Sequence, residues 1–327
     1  MRDFVIKRVI QMFATLFFVS VVAFIIIQLP PGDFLSSYIA QLESLGQTAD
    51  EAYIAALRQQ FGLDRPMYVQ YFIWITGFIR GNFGFSFEWR APVRDLIGER
   101  MLLTVILTLA TILLTWALAF LLGLYSSVRQ YSVGDYIATF IGFIGVSVPS
   151  FLIAIVLMWI FLYYFGIGVG GLFSRDFVTA PWSIARVMDL MRNMILPVIV
   201  IGLTGTASLM RTLRANMLDE ITRPYVTAAK AKGVPSTKLI IKYPLRIAML
   251  PFISTVGWQV PVIINGQTIA GVVLSLPVLG PMLLNALVSQ DMFLAGSIIL
   301  FLSMLTVVGT FISDILLAWA DPRVRLQ

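Results

Sequence analysis

The chain has no cysteine and no histidine among its 327 residues, and only 12% of them are charged. The missing cysteine excludes disulfides, thiolate metal sites and a thiol nucleophile. The missing histidine removes the commonest proton shuttle and the commonest transition-metal ligand. The scarcity of charge excludes two broad classes. A water-soluble fold carries ~25% charged residues, and a disordered chain combines high charge with low hydrophobicity. What is abundant is apolar, at 59% of residues against a usual ~45–50%. An all-α, polytopic membrane protein fits that balance. The formal net charge is +6, and in such a protein its placement matters more than its sum.

A bilayer core needs roughly 20 mostly apolar helical residues. Six stretches qualify: Val9–Leu29, Met101–Val128, Tyr136–Phe165, Met194–Met210, Ile247–Val273 and Phe293–Ala320. Pro149 and Pro261 fall inside two of them as kink positions. The runs are continuous and longer than the ~10-residue alternating segments of outer-membrane strands, so a β-barrel is rejected. The first run follows Arg2, Lys7 and Arg8, as a signal peptide would. It is longer than the usual h-region of ~7–15 residues and lacks a small-residue cleavage site, so a retained anchor is expected.

Charge sets the expected orientation. With the N-terminus inside, 14 of the 23 basic residues fall on the cytoplasmic side, eight of them between Arg211 and Arg246. The outer segment from Pro30 to Arg100 has six basic and eight acidic residues. Positive charge inside supports N-in, C-in. The expected division is an anchor plus extracytoplasmic segment over 1–96, a membrane-spanning core over 97–320 with a cytoplasmic loop at 211–246, and a tail at 321–327.

Two loops carry information. In the outer segment, Thr48 or Asp50 can cap a helix through Gln60 that Gly62 closes, and Met67–Ile79 forms a second, aromatic-rich helix. This small helical segment is either a lid on the bundle or a surface for an outside partner. In the basic loop, Asn216–Lys232 can form a helix interrupted by Pro224. Gly233 takes a C′ position with Pro235 beyond it, and Ser236–Arg246 starts a second short helix. The loop is either two helices around a sharp turn or a basic segment lying on anionic lipid.

Thr227-Ala228-Ala229-Lys230-Ala231-Lys232-Gly233 resembles the EAA loop of binding-protein-dependent ABC importer permeases. Thr227 stands where the general motif has Glu, and the later Ile-x-Leu-Pro ending is missing. The dipeptide/oligopeptide branch departs in the same way, with a T-A-R-A-K-G core and a downstream L-R-N-A-x-x-P, here Leu245-Arg246-Ile247-Ala248-Met249-Leu250-Pro251. Further matches run along nearly the whole chain. They include Phe4-Val5-Ile6-Lys7-Arg8, Pro31-Gly32-Asp33, Phe61-Gly62-Leu63-Asp64-Arg65-Pro66, Gly81-Asn82-Phe83-Gly84, Ser147-Val148-Pro149-Ser150, Leu279-Gly280 and Asp321-Pro322-Arg323-Val324-Arg325.

The resemblance implies a non-catalytic subunit of an importer in the bacterial or archaeal cytoplasmic membrane. Its partners would be a second, related but non-identical permease, two cytoplasmic ATPase subunits and an extracytoplasmic solute-binding protein. No nucleic acid is involved. No cofactor is expected in this chain, with ATP and Mg²⁺ in the ATPases, and no metal site. The absence of a G-x-x-x-x-G-K-[ST] phosphate loop agrees. The implied solute is a peptide, with oligosaccharide or nickel as alternatives in the same branch. Thr227, Ala228, Ala229, Lys230, Lys232 and Gly233 would couple to the ATPase as a knob in a groove.

Within the fifth run, Trp258, Gln259, Asn265 and Gln267 either line the solute path or bond helices together. An ion-coupled secondary transporter is the rival class. It needs ionisable groups in the membrane, and Asp314 is the only acid inside a predicted span. An enzyme is disfavoured by the absence of histidine, cysteine and clustered carboxylates.

Overall fold

The long apolar runs become helices because a backbone in hydrocarbon must satisfy its own hydrogen bonds. The computed structural model describes residues 2–28, 39, 65–86 and 88–320. In chain order these form α1 (Arg2–Gln28), α2 (Met67–Ile79), β1 (Phe85–Ser86), β2 (Ala91–Pro92), α3 (Val93–Val128), α4 (Val133–Ser147) and α5 (Ser150–Phe165). A 3₁₀ turn (Arg175–Phe177) precedes α6 (Ile184–Asn193), α7 (Ile195–Ile221), α8 (Pro224–Ala231) and α9 (Ser236–Lys242). The chain continues through α10 (Pro244–Ser254), α11 (Val256–Val273), α12 (Leu279–Val288) and α13 (Met292–Ala320). The expected helix from Thr48 to Gln60, the Pro31-Gly32-Asp33 and Phe61–Asp64 motifs and the 321–327 tail lie outside the described residues.

Helices α1, α3, α7 and α13 are each long and apolar enough to cross a membrane, and counting each bent helix pair as one span gives up to six. Both bent pairs modify the sequence expectation. The run Tyr136–Phe165 is not one kinked helix, since α4 and α5 meet at 110°. Pro149 has no N–H to donate and pushes Val148 into extended geometry (φ −104°, ψ 125°), so α4 stops and α5 starts afresh. The run Ile247–Val273 also breaks, and Ser236–Ser254 meets Gly257–Val273 at 52°. That bend falls at Thr255, more than a turn before Pro261. There the Thr255 hydroxyl and N–H both bond to the Phe252 carbonyl, at 2.6 and 3.2 Å.

The basic loop is shorter than expected. Asn216 belongs to α7, which continues to Ile221, and only Pro224–Ala231 forms the separate short helix. Three local elements were not expected: the antiparallel β1–β2 pair, α6 and α12.

The chain divides into two compact units that interleave along the sequence. The larger comprises residues 1–9, 105–277 and 306–327. Its centre is α7, which packs against α4, α5, α10 and α11. Leu209, Met210, Leu213 and Met217 are fully buried at helical spacing, against Ala138, Ala248 and Phe252. Removing the Leu213 side chain would leave a cavity costing about 2–5 kcal/mol. Asp135 at the start of α4 accepts from Tyr131 N–H at 2.9 Å and pairs with Arg214 of α7 at 2.9 Å. Asp314 pairs with Arg8 at 3.0 Å, so the one acid of the last span has a cation of its own chain beside it.

The smaller unit comprises residues 10–104 and 278–305. Phe24, Trp74 and Leu300 form its buried cluster, with Tyr71, Phe78 and Phe293 against them. Ser20 and Tyr71 share a hydrogen bond at 2.8 Å. Asp291 is fully buried and caps α13 by accepting from Leu294 N–H at 3.1 Å. It also accepts from the Ser86 hydroxyl at 2.6 Å, which ties β1 to that helix end.

Candidate coupling loop and polar span residues

The basic loop is shaped by local chemistry. Pro224 occupies the first helical position of α8, where its missing N–H costs nothing. At the other end Gly233 has φ +76°. Gly233 N–H donates to the Lys230 carbonyl at 3.0 Å, and Val234 N–H donates to the Ala229 carbonyl at 3.4 Å. This is the Schellman pattern, which satisfies helix-end carbonyls through a left-handed residue. Pro235 then fixes the entry into α9. Val226, Ala229 and Leu239 are buried together, with Val234 and Tyr243 against them. The two short helices therefore form one small packed knob.

Side-chain direction sorts the expected coupling residues. Thr227, Ala228, Lys230, Lys232 and Gly233 are exposed, while Ala229 is buried within the knob. The small size of Ala229 serves the packing of α8 on α9, not the close approach of another chain. Among the described residues no carboxylate pairs with Lys230 or Lys232. Tyr225 donates to Glu220 at 2.5 Å. Partial burial and the hydrogen bond that its hydroxyl donates to the Glu220 carboxylate push the Tyr225 pKa up to about 12.

The polar residues of α11 divide between two faces. Gln259 and Gln267 are buried inside the larger unit, together with Ile263. Gln267 Nε2 donates to Thr108 Oγ1 of α3 at 2.9 Å. The Gln259 carboxamide lies against Gly205 of α7, where an added Cβ would sit 3.0 Å from its Oε1. Neither polar atom of that carboxamide has a hydrogen-bond partner among the described residues. Trp258 and Asn265 lie on the opposite, exposed face with Val262, Ile269 and Val272. Their spacing of 4, 3, 4 and 3 residues makes a continuous stripe.

Sequence reasoning missed the other half of the buried seam. Thr108, Thr111 and Thr115 recur at helical spacing along α3 and are all buried. The Thr115 hydroxyl donates to the Gly202 carbonyl at 3.3 Å. That threonine periodicity was a legible signal that α3 turns a polar edge toward a neighbour.

This arrangement holds no cluster of three or more metal-ligating side chains among the described residues. The described residues form a mainly helical chain with several candidate spans, a compact basic knob and a buried polar seam. Residues 118–326 match the family model described as binding-protein-dependent transport system inner membrane component. Residues 1–108 match the N-terminal model of the same type of membrane component. The chain is 30% identical over 329 residues to the oligopeptide transport system permease protein AppB of Bacillus subtilis (strain 168), covering 99% of this chain and 100% of that protein. It is also 30% identical over 329 residues to the glutathione transport system permease protein GsiC of Escherichia coli (strain K12), covering all of both. The chain belongs to the family of binding-protein-dependent ABC importer permeases. It is a multi-pass inner-membrane subunit without catalytic activity. Permeases of this family carry no cofactor, and ATP is bound by a separate ATPase.

Proposed function

We propose that this chain forms half of the membrane path of an importer for a small peptide, the class that includes oligopeptides and glutathione. The relatives' full-length similarity supports that class. The other half is a related but different permease, and an outside binding protein delivers the solute. The observation that carries the mechanism is the self-packed α8–α9 knob, whose exposed Lys230 and Lys232 have no carboxylate partner among the described residues. A rigid knob transmits the closure of an ATPase dimer, and acids on the ATPase complement Lys230 and Lys232. The charge count supports N-in, C-in with this loop in the cytoplasm. The two family models, 1–108 and 118–326, support an N-terminal anchor region of 1–96 followed by a permease core of 97–320.

For the path, Trp258 and Asn265 on the exposed stripe of α11 are the candidates. Burial of Gln259 and Gln267 favours helix-to-helix bonding for those two. The Arg8–Asp314 pair also disfavours ion coupling, since the acid is already matched. The test is reconstitution with the partner permease, ATPases and binding protein, followed by uptake of labelled oligopeptide and of glutathione. ATP-dependent, binding-protein-dependent uptake of either supports the proposal. Solute flux through this chain without ATPase would overturn it.

A further inference from the structure

A groove of about 350 Å³ opens between the last turns of α5 and the first turns of α7. Leu157 and Phe161 form one wall, Ile195 and Ile199 the other, and Leu274 contributes to the lining. The polar side chains lining it are Arg192 and Asn193. They lie where the chain is about to enter α7, so the polar end of the groove coincides with the end of a spanning helix. Asn193 is committed, donating to the Asp189 carbonyl at 2.9 Å and to Ser174 Oγ at 3.4 Å. Arg192 is exposed, and among the described residues no carboxylate pairs with it. Asp189 feels its charge but accepts its hydrogen bonds from the N–H and hydroxyl of Ser174.

Two further observations fix the depth. Trp159, Tyr163 and Tyr164 near the end of α5 are all more than half exposed, as suits side chains at a membrane–water interface. From Leu157 to the end of α5 at Phe165 the helix rises about 12 Å. That is close to the ~15 Å hydrocarbon depth of one leaflet. A polar solute would find few partners along such walls, whereas an acyl chain matches their apolarity and reaches the depth of Leu157. Arg192 at the mouth offers a planar fork of donors suited to phosphate.

We propose that this groove holds one acyl chain of an anionic phospholipid, with its phosphate at Arg192. The test is native mass spectrometry of the intact permease–ATPase complex in mild detergent, titrated with phosphatidylglycerol or phosphatidylcholine. The wild type should retain phosphatidylglycerol in preference. Arg192→Gln should lower phosphatidylglycerol retention roughly fivefold, the effect of one basic side chain near an anionic surface. It should leave phosphatidylcholine within about twofold. Ile199→Trp, which fills a half-exposed wall, should lower retention of both lipids. Glycerol phosphate, a headgroup without chains, should not compete. Wild-type phosphatidylglycerol retention in both variants would overturn the proposal. So would competition by glycerol phosphate, which marks a soluble-phosphate site, or displacement of the lipid by a transported peptide.

Discussion

Gly233 is the position where one atom decides whether the knob keeps its shape. Its φ of +76° lies in the left-handed region, yet a Cβ built there meets nothing within 4 Å. The cost of a side chain is therefore conformational and not steric, roughly 1–2 kcal/mol for most L-residues. Asparagine visits this region far more readily than a β-branched residue. Gly233→Val should reduce the population of the intact turn about 5–30-fold, while Gly233→Asn should stay near wild type. Neither change touches a spanning helix, so both proteins should insert normally. If the turn couples the loop to the ATPase, Val should lose ATPase co-purification and ATP-driven uptake together, and Asn should retain most of both. Loss in both variants would instead point to a contact at the glycine surface itself. Wild-type coupling in Gly233→Val would refute the argument and return the loop to a lipid-surface role.

Other outcomes follow from named contacts. Asp314→Asn should lower the Tm of the detergent-solubilised complex through loss of a half-exposed pair worth about 1 kcal/mol. The exchange Arg8→Asp with Asp314→Arg should recover part of it, and no recovery would deny the pairing. Gln267→Leu should destabilise by roughly 0.6–2 kcal/mol by stripping Thr108 of its donor, whereas Gln259→Leu should be neutral or stabilising, because it removes an unpaired buried amide. Equal losses in thermal melts would reject the distinction. Burial works against ionisation of Asp189, but Ser174 and Asn193 outweigh it and hold the carboxyl below its ordinary range. Its contribution is complete above pH ~4 and disappears as pH falls through the lower folded value, so proteolysis of the 166–193 loop should rise only there and lose that step in Asp189→Asn. Cysteines at Ser236 and Thr179 should label from opposite sides of the membrane, and outside labelling of position 236 in intact cells would reverse the assigned orientation.

What could be read in advance depended on how local its cause was. The turn at Gly233 was legible because a C′ glycine and a proline two residues on act within one helix end. The spans were legible because hydrocarbon demands a minimum apolar length. Their true ends were not, because hydropathy marks the edge of the bilayer and not the end of a hydrogen-bond ladder. That is why Asn216 was assigned to a separate helix when α7 in fact runs through it. Pro149 marked a kink and not a full break, and the 110° angle depends on where α5 packs against α7 and α11. Helix α6 escaped notice because it is short and amphipathic, with Arg186 and Leu190 buried one turn apart. Without a long apolar run, such a segment reads as loop.

The polar residues of α11 mark the limit of that logic most clearly. Sequence spacing already places Gln259, Ile263 and Gln267 on one face and leaves Trp258 and Asn265 off it. Both faces are otherwise apolar, so polarity alone gives no preference for which turns inward. The choice is made by the neighbours: the threonines of α3 offer Gln267 a hydroxyl, and Gly205 of α7 leaves room for Gln259. Burying those two glutamines forces Trp258, Val262, Asn265 and Ile269 outward by helical geometry. A solute path or a partner permease would then meet mainly apolar surface with a single amide. On the proposed function, that composition would tolerate chemically varied side chains on a transported peptide and leave selection to the binding protein. If Asn265→Leu altered which peptides are taken up, with binding to the outside protein unchanged, selection would reside in the path as well and this division of labour would fail.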